Sequence, residues 1–162
     1  MAAEYSANAL QTVAANGSVI FTEAPVPCNR GLIFHRDESG LFRLASPSVM
    51  GASRYGCCCC NRSMPEADYL VAFSANIAVP ADPAGTVGPI SLALAIDGEI
   101  DPSSTMIFTP AAVGSFGNVS TSIVVSVPWI CRCASVSVRN TSDQAIDVQN
   151  ANLVFTFAGI RR

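Results

Sequence analysis

Bulky and small or polar residues alternate between Ile90 and Asp97. Ile90, Leu92, Leu94 and Ile96 fall on one side, and Ser91, Ala93, Ala95 and Asp97 on the other. A period of two is the pleat of a strand with one buried face. Asp97-Gly98 follows, a pair that favours a tight hairpin turn. A second apolar run, Tyr69 to Ile77, has no internal glycine or proline. Residues 78–89 separate the two runs with three prolines and two glycines, a composition that breaks regular structure. The two runs are expected to form the middle of a β-sandwich.

The same reading extends along the chain. Residues 4–13 alternate loosely and read as a first strand, and residues 19–22 as a short second one. Residues 25–29 read as a loop, because two prolines deny ladder hydrogen bonds. Strands are expected over 31–36 and 41–44, either side of a turn at 37–40. Residues 46–66 form an irregular, Cys-rich insertion. Further strands are expected at 105–109, 118–127, 134–139, 146–148 and 151–158. No segment reads as a helix. About ten short strands with turn chemistry between them predict a single all-β domain over 1–162, a jelly-roll sandwich.

Four pieces, in order, resemble one known family. Ser39-Gly-Leu-Phe-Arg-Leu44 looks like the Gly-x-Phe strand of the C1q/TNF-like jelly rolls. Ala67-Asp-Tyr-Leu-Val-Ala-Phe-Ser74 is similar to that family's aromatic-x-x-x-Phe strand. Leu92-Ala-Leu-Ala-Ile-Asp-Gly98 resembles its strand ending in an Asn-Gly or Asp-Gly turn. Ala151-Asn-Leu-Val-Phe-Thr-Phe-Ala-Gly-Ile160 looks like its closing strand. The resemblance spans nearly the whole chain and is closest in kind to bacterial or phage surface proteins. It implies a compact homotrimer. Tyr69, Phe73, Phe155 and Phe157 would then divide between the sandwich core and the trimer interface. The insertion with four consecutive cysteines departs from the family pattern, as does the lack of a collagen-like stalk.

Composition narrows the function. Half of the residues are hydrophobic and only 13% are charged. So little charge is sparse for a monomer's surface and suggests that part of it is covered by other copies. The chain has no lysine, nine arginines and a net charge of −3, so no basic patch for nucleic acid is expected. No apolar run reaches the length of a transmembrane helix. The first residues, Met-Ala-Ala-Glu-Tyr, lack a basic region followed by an apolar core, so synthesis in a cytosol without a signal peptide is expected.

Seven cysteines sit at Cys28, Cys57, Cys58, Cys59, Cys60, Cys131 and Cys133. All are candidates for disulfides or cross-links between chains. Adjacent cysteines rarely bridge each other, so the run at 57–60 is expected to seek partners elsewhere, with Cys28, Cys131 and Cys133 as candidates. Cys57 and Cys60 also have Cys-x-x-Cys spacing, and Cys131 and Cys133 could complete a zinc site. Asp97, Glu99 and Asp101 are the remaining metal candidates, for calcium. A solvated hairpin turn is the plainer reading, because the ligand series of a calcium loop is incomplete. No cofactor is expected.

His35, the one histidine, cannot supply a multi-His site, and no nucleophile-elbow pattern accompanies it. No catalytic residue is assigned, and an enzyme is not expected. The expected role is a non-enzymatic structural protein. It would self-assemble as a homotrimer on the outer surface of a particle, either a phage virion or a bacterial spore. Its partners would be itself and a capsid or spore-surface lattice, with no nucleic acid and no membrane. The alternative is a receptor- or glycan-binding adhesion module of the same fold, for which Trp129 is the one candidate aromatic anchor.

Overall fold

A computed structural model describes residues 1–28, 31–36, 39–46, 66–83, 85–128 and 133–161. Within them the chain forms twelve strands: β1 (Ala2–Ala7), β2 (Gln11–Val13), β3 (Glu23–Val26), β4 (Ile33–His35), β5 (Phe42–Ala45), β6 (Glu66–Ala78), β7 (Ile90–Ile96), β8 (Glu99–Ile100), β9 (Met106–Phe108), β10 (Gly117–Pro128), β11 (Cys133–Asn140) and β12 (Ile146–Arg161). A 3-10 turn, Pro102–Ser104, precedes β9. The strands build two antiparallel sheets. The first runs β10-β6-β12-β1-β3, with β2 also pairing β12. The second runs β4-β5-β11-β7-β8, with β9 also pairing β7. The two organising runs are β6 and β7, and they lie in opposite sheets.

Period two decides which side chains meet between the sheets. On β6 the odd positions Ala67, Tyr69, Val71, Phe73, Ala75 and Ile77 are buried, and the even ones from Glu66 to Asn76 face out. On β10 the odd positions Val119, Ile123, Val125 and Val127 are buried. Phe42 of β5 occupies the centre. Its ring lies 4.8 Å from Tyr5, 5.3 Å from Phe21, 4.3 Å from His35 and 5.1 Å from Phe155. It therefore joins the second sheet to both β1 and β12 of the first.

Four local expectations are corrected. Residues 4–13 are two strands, β1 and β2, not one. Residues 19–22 are not a strand, although Val19 and Phe21 are fully buried. Val19 N–H donates to Val138 of the second sheet, and Thr22 N–H donates to Ser6 of the first. The segment crosses from one sheet to the other, so it cannot follow either ladder. Pro25 sits inside β3 rather than in a loop, since β3 is the edge of its sheet and an edge strand tolerates a missing donor. Residues 146–148 and 151–158 are one strand, β12, with irregularities at Asn150 (φ 51°) and Gly159 (φ 147°). The Asp97-Gly98 hairpin forms as expected, with φ of 51° and 89°, the left-handed pair that a twisted two-residue hairpin needs.

Asn140 closes the end of the sandwich where β11 stops. Its buried side-chain nitrogen donates to the carbonyls of Val13, Ala14 and Gln144 at 2.8–3.1 Å, and its oxygen accepts from Ser142 N–H. Asn140→Ala orphans these backbone groups, and about 2 kcal/mol of stability should be lost in urea unfolding. An unchanged midpoint would refute that role. Asn140 also begins an Asn-x-Ser/Thr triplet. Its buried, fully engaged amide has no room for a glycan in the folded chain.

Candidate assembly face and the cysteine-bearing end

The outward face of the first sheet is built from the positions that the core does not use. Across β10, β6, β12 and β1, one row reads Ser122, Ala72, Val154, Glu4. A neighbouring row reads Val124, Leu70, Thr156, Ala2, and another reads Ser120, Ser74, Asn152, Ser6. These side chains are small or uncharged except for Glu4, whose carboxylate accepts from the Asn152 amide at 2.6 Å. Because they are short, the face is shallow, with a depression of about 460 Å³ over Ala72, Ser74, Ser122 and Val154. Charge gathers at one end of the face. There Arg161 pairs with Glu66 at 2.5 Å and approaches Asp68 at 3.7 Å, and Ser126 donates to Asp68 at 2.6 Å.

Tyr69, Phe73 and Phe155 are buried in the core, because each takes an inward position of its strand. Phe157 is half-buried, its ring 5.5 Å from Tyr69. These aromatics back the face without forming it. The outward residues escape a reading of the sequence because Ala, Ser and Thr carry no apolar signal. The complement of the period-two pattern in 66–78 and 118–126 is the signal that finds them.

The sheet with the small-residue face ends where the cysteine-bearing connections begin. β5 stops at Ala45 and β6 starts at Glu66. β10 stops at Pro128 and β11 starts at Cys133. Register places all four at one end of the sandwich: Glu66 lies opposite Pro128, and Cys133 lies opposite Ala45. The Tyr69 hydroxyl donates to the Ala45 carbonyl at 2.5 Å and ties the sheets together there. Burial pushes the Tyr69 phenol up to about 12, and the nearby thiols of Cys28 and Cys133 add to the rise. Tyr5 is also raised, first by burial and then by Cys28, against a lowering hydrogen bond from the Cys28 backbone. Cys28 is half-buried against the core, Cys133 is exposed, and both are free thiols. Cys57, Cys58, Cys59, Cys60, Cys131 and Trp129 lie outside the described residues.

The other candidates are spent on local structure. Asp97 accepts from the Ser135 backbone N–H at 2.7 Å and its hydroxyl at 3.2 Å. Asp101 caps the 3-10 turn by accepting from Ser103 N–H at 2.9 Å. Glu99 is exposed on β8. Among the described residues, no three His, Cys, Asp or Glu side chains converge on one point that could hold a metal. His35 lies flat on Phe42, and its Nε2–H donates to the Ser39 carbonyl at 3.0 Å, which fixes its tautomer in the neutral ring. No described helix is long and apolar enough to cross a membrane.

No protein-family profile matches the chain, and no curated protein sequence matches it. Among solved structures, the chain is similar to the Eiger TNF from S. frugiperda. The two share 12% identity and a TM-score of 0.60, over 98% of this chain and 93% of that one. A family 35 carbohydrate-binding module from Clostridium thermocellum shares 11% identity over 94% of this chain and 97% of that one, but its TM-score is 0.37, too low to bear on the fold. The chain is an all-β, TNF-like jelly roll with two antiparallel sheets. At this identity the likeness speaks to fold and not to activity.

Proposed function

We propose that this protein is a non-enzymatic structural unit that self-associates as a homotrimer through the outward face of its first sheet. One observation carries the reading. That face spans four strands, and its centre, around Ala72, Ser74, Ser122 and Val154, is shallow and bears no charge. A flat, charge-free sheet face loses little on dehydration and gains from apolar burial when a second copy covers it. The low charge of the whole chain supports the same reading. Trimers of this kind would coat or project from a phage virion or a bacterial spore, against a capsid or spore-surface lattice. There the cysteines could link neighbouring chains by oxidation. The role needs no cofactor, and it leaves Asp97, Glu99 and Asp101 as parts of the hairpin and the turn after it. The alternative is an adhesion module whose loops bind a receptor or glycan, a use to which jelly rolls lend themselves.

Light scattering with and without reductant tests assembly. Three chains of 16.9 kDa should give about 51 kDa in reductant. Ala72→Arg, which puts a cation at the centre of the face, should give a folded monomer, because a buried unpaired charge costs more than the contact returns. A monomeric wild type would overturn the proposal in favour of the adhesion module. A trimeric Ala72→Arg variant would show that the contact lies elsewhere. Larger species that collapse on reduction would mark thiol cross-links between trimers.

A further inference from the structure

The hairpin of β4 and β5, on the second sheet, carries a cavity that the assembly face does not use. It measures about 540 Å³ and is walled by Phe34, His35, Arg36, Ser39, Leu41 and Arg43. Phe34 and Arg43 lie directly opposite each other and both point outward. Arg36 and Leu41 lie just beyond the facing ends of the two strands and also wall the cavity. Two cationic and two large apolar groups therefore line one opening.

Two details make this more than a patch of surface. Phe34 and Leu41 are 51% and 48% exposed, although both are large and apolar. Neither the Arg36 nor the Arg43 guanidinium has an ion pair or hydrogen bond among the described residues, whereas those of Arg139 and Arg161 are both engaged. One wall is rigid, because His35 is stacked on Phe42 and bonded to Ser39. Asp37 and Glu38, next to Arg36 in the chain, lie outside the described residues. Arg43, on the other strand, is the guanidinium further from them in sequence.

We propose that this cavity binds a carboxylate carried on an apolar or aromatic body. A guanidinium fork matches a carboxylate in two parallel hydrogen bonds. The body of such a ligand would cover Phe34 and Leu41 and remove them from water. A mostly apolar opening with a few convergent polar groups is the usual form of a small-molecule site. The proposal does not depend on the oligomeric state.

Phenylacetate is the probe, with acetate supplying the charge without the ring and benzyl alcohol the ring without the charge. Binding to the full chain is followed by calorimetry and ligand-observed saturation-transfer NMR. Phenylacetate should bind saturably, with each control at least about tenfold weaker, and added salt should weaken it. The double variant Arg36→Gln/Arg43→Gln should lose the preference for phenylacetate over benzyl alcohol. Phe34→Ala should lose the preference over acetate. Both variants change exposed side chains, and circular dichroism checks that they fold. Absence of saturable binding to the wild type overturns the proposal, and so does undiminished binding to the folded double variant.

Discussion

Phe42→Ala should cost about 3–5 kcal/mol, the usual loss when a buried phenylalanine is truncated. The site leaves little scope for relaxation. Phe42 is fully buried and its ring touches four others: Tyr5, Phe21, His35 and Phe155. Those rings come from β1, the sheet-crossing segment 19–22, β4 and β12, so no single element can move in to fill the void. A domain of this size is usually stable by about 5–15 kcal/mol, so the variant would lose roughly a fifth of that or more. Urea unfolding at one fixed protein concentration measures it, since self-association would shift the midpoint with concentration. Phe42→Leu keeps most of the volume and should cost clearly less. A Phe42→Ala loss below about 1.5 kcal/mol would mean that the centre of the sandwich is loosely packed.

Alkaline pH should weaken the fold between pH 10 and pH 12. The Tyr69 phenol titrates at about 12 in the folded chain, against 10.0 when unperturbed. A raised folded pKa means that the fold favours the neutral phenol. Its contribution is complete below pH 10 and is lost as pH rises towards 12. A hundredfold change in proton affinity corresponds to about 2.7 kcal/mol. The main cause is burial, with Cys28 and Cys133 adding to it. Tyr5 moves in the same direction and adds a share of its own. The test compares stability across this range in wild type and Tyr69→Phe. The variant forfeits the hydrogen bond to Ala45, so it starts lower, but it should fall less steeply. Equal slopes in the two proteins would remove Tyr69 as the cause.

Most of the fold was legible because bulky residues at every second position mark a strand and its buried face together. β7, β10 and β11 follow from that signal, β6 from an unbroken apolar run, and the Asp97-Gly98 hairpin from its turn chemistry. The misreadings have separate local causes. Residues 19–22 look like a strand because Val19, Ile20 and Phe21 are apolar, but hydropathy does not say which sheet supplies the hydrogen bonds. β3 was hidden by Pro25, whose missing N–H matters only if a neighbour is there to receive it. β12 reads as two strands, 146–148 and 151–158, and Asn150 between them adopts a left-handed conformation within a continuous strand. The candidate face was harder still. Leu70, Ala72, Ser74, Ser122 and Val154 form one surface only once the register of three strands is known. The pairing of exposed Phe34 with Arg43 likewise becomes visible only across the β4–β5 ladder.

The gathering of strand ends at one pole gives the molecule a handle. Cys133 is exposed there, and the connections 46–66 and 128–133 both leave and re-enter at the same pole. The Asn140–Gln144 turn closes the opposite pole. A maleimide-coated support that reacts with Cys133 would hold the protein by that pole. Molecules held through Cys133 would offer the opposite pole to solvent.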